Sequence, residues 1–224
     1  MAPVTTYAWQ GTFGPIGNAP LIFETSYGNA TFLAGPTASN VAVFDEWIHS
    51  VTSAGSRDSF WFRDGGHEIG TGGGADRVRA DGWLFDLDTG AGNDVAILNA
   101  GAHAVDLGAG NDRAQLGAFV HEVVAGAGND LITFSAGAGA NRVDLGNAAA
   151  RGRDRLTADG WIEEIHQGAG RSDVTLAAGA SIVFPRRRRR RPDRLRMGHP
   201  RRDGRWQRHG EPPRRRQCRR RWRP

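Results

Sequence analysis

Four aspartates recur at one fixed interval: Asp76, Asp94, Asp112 and Asp130 stand 18 residues apart. Each closes a five-residue turn. The turns read Gly72-Gly73-Gly74-Ala75-Asp76, Gly90-Ala91-Gly92-Asn93-Asp94, Gly108-Ala109-Gly110-Asn111-Asp112 and Gly126-Ala127-Gly128-Asn129-Asp130. If successive turns stack as strands do, their carboxylates lie about 4.8 Å apart. Two carboxylates at that separation repel by about 3 kcal/mol at an effective dielectric of 20, so such a column needs cations between its rungs. Glycine turns free of side chains also let backbone carbonyls point inward. Carboxylates and carbonyls without Cys or His make a hard oxygen cage. Such a cage suits Ca2+ better than Zn2+ or Cu2+, and better than Mg2+, which demands a tight octahedron and keeps its waters.

The elements that must position these groups follow from the same period, which signals a repeat architecture. Behind each turn runs a short alternation: Val78 and Ala80, Ala96 and Leu98, Ala114 and Leu116, Ile132 and Phe134. Apolar residues at every second position mark strands. Half a period later a second run brings Phe85 and Leu87, Val105 and Leu107, Val123 and Ala125, read as facing inward. Each unit thus holds two turns and two strands. One unit cannot bury its apolar face alone, but stacked units can. The expected fold is all-β: a right-handed parallel β-roll or β-helix with 18-residue coils over residues 71–184. Residues 1–70 are expected to form a small β-rich N-terminal module or cap, and residues 185–224 a disordered Arg/Pro-rich tail.

The turns resemble the haemolysin-type calcium-binding repeat, the RTX family, whose nonapeptide is Gly-Gly-x-Gly-x-Asp-x-apolar-x. Gly90, Gly92, Asp94 and Ala96 match its second glycine, later glycine, aspartate and apolar position. Gly108, Gly110, Asp112 and Ala114 match likewise, as do Gly126, Gly128, Asp130 and Ile132. The resemblance implies a roll that folds on binding Ca2+, each ion held between successive turns by both aspartates and by turn carbonyls. It also implies bacterial type I export without an N-terminal signal peptide, hence an extracellular protein with cell-surface or extracellular ligands. The candidate metal residues are Asp76, Asp94, Asp112 and Asp130 with Gly72, Gly74, Gly90, Gly92, Gly108, Gly110, Gly126 and Gly128. Asn93, Asn111 and Asn129 complete these turns. Four rungs leave about three gaps for ions.

The sequence departs from the family pattern at the first glycine, which is Thr71, Thr89, Leu107 or Ala125. The alternate nonapeptides have lost the aspartate: His103 and His121 stand nine residues past Asp94 and Asp112. Only one turn column therefore binds in the family manner. The next coil is longer. Val143-Asp144-Leu145-Gly146 repeats Val105-Asp106-Leu107-Gly108 two periods plus two residues on, and the following turn gains about four residues before Asp154. Asp154 is a weaker candidate ligand. In the last turn Ser172, not Asp173, takes the rung position, with Asp173 facing solvent.

Nothing in residues 1–70 assembles into a catalytic set. Asp45, Glu46, His49, His67 and Glu68 lack the His-Glu-x-x-His spacing, no Gly-x-Ser-x-Gly elbow occurs, and the histidines read as solvated turn residues. The chain is not expected to be an enzyme. His103 and His121 are expected to stack in the second turn column, where a borderline metal could bridge them. Trp83 and Trp161 read as core or cap aromatics.

No apolar run approaches 18 residues, so no membrane span is expected. Met1 to Gly14 lacks the basic and apolar regions of a signal peptide, and Cys218, the single cysteine, rules out an internal disulfide. The net charge of +5 hides a division: residues 1–185 carry −11 and residues 186–224 carry +16. The tail opens with Pro185 and Arg186 to Arg191. At face value it binds nucleic acid or another polyanion by neutralising phosphates. The preferred reading is a frameshift. Trp206-Gln207-Arg208-His209-Gly210, read one nucleotide later, permits Gly-Asn-Asp-Thr, so the tail is compatible with further calcium repeats out of frame. A third reading makes the chain the N-terminal fragment of a larger secreted RTX enzyme or toxin.

Overall fold

The computed structural model describes side chains for residues 39–55, 57–146, 152–168 and 170–184, and the backbone of five further strands outside them. The alternation of the sequence becomes two parallel sheets of one solenoid. The odd sheet holds β1 (Thr5–Ala8), β3 (Leu21–Glu24), β5 (Val41–Phe44), β7 (Ser59–Phe62), β9 (Arg77–Ala80), β11 (Val95–Leu98), β13 (Arg113–Leu116), β15 (Leu131–Phe134), β17 (Arg153–Ala158), β19 (Arg171–Leu176) and β21 (Leu195–Met197). The even sheet holds β2 (Thr12–Phe13), β4 (Thr31–Leu33), β6 (Ile48–Thr52), β8 (Gly65–Gly70), β10 (Trp83–Asp88), β12 (Ala102–Asp106), β14 (Val120–Val124), β16 (Ala140–Asp144), β18 (Ile162–His166) and β20 (Ala180–Phe184). Each coil contributes one strand to each sheet, and every strand pairs with its equivalent one coil away.

The 18-residue period is the pairing register itself: Arg77 lies beside Val95, Val95 beside Arg113, Arg113 beside Leu131. Two insertions stretch it. Val120 pairs with Ala140, a step of 20, because the Ser135–Gly139 turn is two residues longer. Ala140 then pairs with Ile162, a step of 22, which places four extra residues in the turn before Asp154. The insert itself lies outside the described residues.

The register also runs back through residue 70 without a break. β7 pairs with β9 and β8 with β10, so residues 39–70 are built from the same coils as the repeats that follow. They are continuous with the roll rather than a separate lid on its first coil. Phe60 and Phe62 occupy the inward columns that Val78 and Ala80 occupy one coil later, all essentially inaccessible. Phe44 stacks on Phe62 at 4.9 Å between ring centres, so this end of the core is aromatic where the glycine-rich coils use mostly Ala, Val and Leu, with Phe134 their one buried ring among the described residues.

The even strands depart from simple alternation. Buried side chains fall at Leu84 and Leu87, Ala102 and Val105, Val120 and Val123, three residues apart. Phe85, read as inward, is 39% exposed instead. The pairing register skips Phe85, His103 and His121, passing from Leu84–Ala102 directly to Asp86–Ala104. At that position the strand turns a corner, two residues lie outward in succession, and the period of two is lost. Trp161, expected in the core or a cap, is likewise 44% exposed.

The two exteriors differ in charge. From β5 to β19 the odd sheet shows Arg77, Arg79, Arg113, Arg153, Arg155 and Arg171 outward, with Asp173 the one acid. From β6 to β20 the even sheet shows Glu68, Asp86, Asp88, Asp106, Glu122, Asp144, Glu163 and Glu164 against Arg142. Among the described residues no helix is long and apolar enough to cross a membrane.

Candidate metal centre

The repeated aspartates turn inward just before each odd strand. Asp76, Asp94, Asp112, Asp130 and Asp154 are all buried, at most 3% exposed. Each Oδ1 accepts a hydrogen bond from the backbone N–H of the rung one coil earlier. Asp58 N–H donates to Asp76 at 2.7 Å, Asp76 to Asp94 at 2.7 Å and Asp94 to Asp112 at 2.8 Å. Asp112 then donates to Asp130 at 2.9 Å, and Asp130 to Asp154 at 3.2 Å across the longer coil. The sequence reading placed Asp154 at the limit of the column, and the structure puts it in line.

The other oxygen is left over. Oδ2 of Asp76, Asp94, Asp112 and Asp130 is buried with no hydrogen-bond partner. Burial of an unpartnered carboxylate oxygen is costly, and the group answers by holding a proton or a cation. Burial pushes the carboxyls of Asp112 and Asp154 up to about 7 and those of Asp76 and Asp130 up to about 6. Asp94 is raised for the same reason. The accepted N–H bonds work against the rise, as do the Thr71 and Thr89 hydroxyls beside Asp76 and Asp94, while the neighbouring rungs add repulsion at Asp76, Asp112 and Asp154.

The glycines form two columns beside the carboxylates. In the first, the Gly72, Gly90 and Gly108 carbonyls accept N–H bonds at 2.7–2.8 Å from Ala91, Ala109 and Ala127 one coil on, and Gly126 continues the column. In the second, the Gly74, Gly92 and Gly110 carbonyls receive no backbone N–H among the described residues. Each instead faces the α-carbon of the next glycine in the column, where the following aspartate also lies. A Cβ added at Gly110 would overlap the Gly92 carbonyl oxygen and sit 3.1 Å from Asp112 Oδ1. The arrangement recurs at Gly92 with Asp94, Gly128 with Asp130 and Gly152 with Asp154. Gly152, absent from the sequence-based set, therefore belongs to the column.

The asparagines do something else. Asn93 Oδ1 accepts from Asn111 N–H and Nδ2, and Asn111 Oδ1 accepts from Asn129 N–H and Nδ2. Asn129 Oδ1 accepts from Arg153 N–H at 2.9 Å. Their side-chain oxygens are engaged in an exposed amide ladder, so only their backbone stays open to a cation.

The column continues past both ends seen in the sequence. Asp58 occupies the rung before Asp76, and Asn40 the rung before that. Asn40 donates to Asp58 Oδ1 through its backbone N–H and Nδ2, and the Ser53 hydroxyl donates to Asp58 Oδ2. At the far end Ser172 pairs with Asp154 and turns its hydroxyl to the Gln167 carbonyl, 3.0 Å away. Asp173 lies outside, as expected, paired with Arg153 at 2.9 Å, and the Arg153 hydrogen bond lowers its pKa. Neutral groups, Asn40 and Ser172, thus close a run of six acidic rungs, of which the first, Asp58, has hydrogen bonds to both its oxygens.

No family model, no curated protein and no solved structure matches this chain.

The fit of the donor set to a cation rests on geometry. Among the described residues no three His, Cys, Asp or Glu side chains converge on one point. A cation here would rest on carboxylates of adjacent rungs and on the open glycine carbonyls. A donor set of oxygen alone fits a large hard cation and not a tetrahedral nitrogen or sulfur site.

The histidines are elsewhere. His49, His67, His103 and His121 stand on β6, β8, β12 and β14, on the outer corner of the even sheet and not in turns. With Phe85 they form one continuous ring stack, at 5.2, 4.7, 4.6 and 5.4 Å between successive ring centres. His103 and His121 do neighbour each other, as expected, but as part of this stack on strands.

Proposed function

We propose that this protein is a calcium-binding repeat protein of the haemolysin-type, whose roll folds when Ca2+ enters the aspartate column. The observation that carries the reading is the run of four successive buried Oδ2 atoms without a partner, beside glycine carbonyls that no N–H satisfies. Asp76, Asp94, Asp112, Asp130 and Asp154 would hold the ions, with the Gly74, Gly92, Gly110 and Gly128 carbonyls. These five rungs, without Asp58, whose two oxygens are hydrogen-bonded, give four gaps, one more than the four sequence-evident aspartates suggest. Calcium would supply the positive charge that lets adjacent buried carboxylates ionise together. Binding free energy then becomes folding free energy. The reading extends to a structural or adhesive role in a secreted bacterial protein, non-enzymatic, meeting cell-surface or extracellular ligands. Polyanion binding through Arg186 to Arg223, and the frameshift origin of that tail, concern residues of which only the backbone of β21 is described; there the tail, expected to be disordered, pairs as a strand with β19.

The test is far-UV circular dichroism of the full chain at pH 7.5 during a calcium titration, with magnesium as the control. A gain of β signal near millimolar Ca2+ is expected. It should be absent with Mg2+ and weakened in Asp94→Asn/Asp112→Asn. Full β signal in cation-free buffer, unchanged by Ca2+, would mean that the column folds on protons alone, and the proposal would be abandoned.

A further inference from the structure

We propose that copies of this protein dock side by side, the odd sheet of one against the even sheet of the next, with their axes parallel and in register. The charge pattern of the two exteriors carries the inference. Along one outward column of the odd sheet, successive coils present Arg77, Val95, Arg113, Leu131 and Arg155. Along the even sheet the same five coils present Asp86, Ala104, Glu122, Arg142 and Glu164. Over these five coils charge alternates with a period of two, about 9.6 Å, in both columns; one coil earlier the even column holds Glu68, and one coil later the odd column holds Asp173. Arginine and acid fall on the same three coils.

A neighbour displaced sideways without sliding therefore sets Arg77 against Asp86, Arg113 against Glu122 and Arg155 against Glu164. Between the first two pairs Val95 meets Ala104; in the fourth coil Leu131 meets Arg142. A slip of one coil keeps at most one pair, Arg77 on Glu68, and brings Arg113 onto Ala104 or Arg142, so the alternation favours the unslipped register. Arg77 and Arg113 make no ion pair among the described residues, and Arg155 lies beside Asp173, whose carboxyl its charge helps to hold down. Two of the acids make loose contacts, Asp86 3.6 Å from His103 and Glu122 3.6 Å from Arg142, while half-buried Glu164 lies 2.6 Å from His166.

The contact joins two different faces of one molecule. Repeated by the same displacement it does not close, and it builds rows and not a finite dimer. Eight described strands by one strand length cover about 500 Å2 per copy, near 1,000 Å2 in total, at the lower edge of specific interfaces. Association is therefore weak and sensitive to salt. It does not rest on the calcium reading, because both faces lie away from the aspartate column.

Sedimentation velocity of the full chain tests this, in calcium-containing buffer with the β signal verified for every variant. At about 50 mM salt the weight-average sedimentation coefficient should rise with concentration without a plateau. At about 0.5 M salt, where the screening length falls to about 4 Å, the rise should vanish. Arg113→Glu and Glu122→Arg should each weaken association at least about tenfold, and the double variant R113E/E122R should restore it. Arg77→Glu and Asp86→Arg form a second such pair if the first fails to fold. Failure of the double variant to restore association overturns the proposal. So does loss in Glu122→Arg but not Arg113→Glu, which would assign association to the arginine tail of a second copy. Concentration-independent sedimentation at low salt overturns it as well.

Discussion

Replacing Asp112 by asparagine isolates the electrostatic cost of the buried column. The substitution keeps an oxygen to accept the Asp94 N–H and removes only the charge. Asp112 titrates at 3.8 when unfolded and is pushed up to about 7 in the fold, chiefly by burial, with Asp130 and Asp94 adding to it. Between those values the folded chain holds a proton that the unfolded chain has released. Stability without cations therefore falls as pH rises from about 4 to about 7, and is flat above. At 1.36 kcal/mol per pH unit the gap costs about 4 kcal/mol. Asp154, also raised to about 7, brings a similar cost, and two such rungs rival the 5–15 kcal/mol net stability of an ordinary domain. Urea unfolding in cation-free buffer at pH 5.0 and 7.5 measures this. The wild type should be folded at pH 5.0 and marginal at pH 7.5. Asp112→Asn should gain about 4 kcal/mol at pH 7.5, roughly 2 M in urea midpoint for a slope of about 2 kcal/mol per M. A wild-type midpoint that does not move between the two pH values would refute the reasoning. So would a variant with the wild-type pH slope.

Saturating calcium should remove most of that pH dependence, and each site at a hundred times its dissociation constant should add about 2.7 kcal/mol, read by the same titrations. Gly110→Ala should cost at least about 2 kcal/mol, because its φ of 152° and the Gly92 carbonyl both resist a Cβ. Gly137→Ala, at φ 81° with nothing within 4 Å, should cost only about 1 kcal/mol. Leu116→Ala, fully buried at mid-solenoid, should lose 2–5 kcal/mol, roughly, in denaturant melts. Asn111→Ala, which breaks the exposed amide ladder, should lose only about 1 kcal/mol and leave the calcium titration midpoint unmoved.

The period made most of the solenoid legible, because a repeat of 18 residues is a pairing register written along the chain. It found Asp76 to Asp130 through their glycine flanks and located Asp154 and Ser172 by counting. It stopped short of Asp58 and Asn40, whose flanks, such as Ala54-Gly55-Ser56-Arg57, lack the glycine spacing. Yet both lie whole periods before Asp76, and Phe60 and Phe62 follow Asp58 as Val78 and Ala80 follow Asp76. The marker was mistaken for the fold. Larger side chains fill the core there, and the turns do without the tight glycine column. Alternation misplaced Phe85 because period two holds only while a strand is straight, and the even strands bend at that residue. The ring stack went unseen for the same reason, although stepping back from His103 by 18 meets Phe85, His67 and His49. No pattern in the sequence announces an orphaned Oδ2. That depends on which oxygen the neighbouring coil's amide takes, a property of stacking geometry.

The bonds of the aspartate column all run one way: the N–H belongs to the earlier coil and the acceptor to the later one. A chain threaded out of a ribosome or an export channel N-terminus first always shows, at its leading coils' last rung, a donor whose acceptor has not yet emerged. At 5–20 residues per second on the ribosome, the missing carboxylate follows after about 1–4 s. Each aspartate rung is thus completed by its successor, and a stalled or truncated chain leaves the N–H of its last rung without that acceptor.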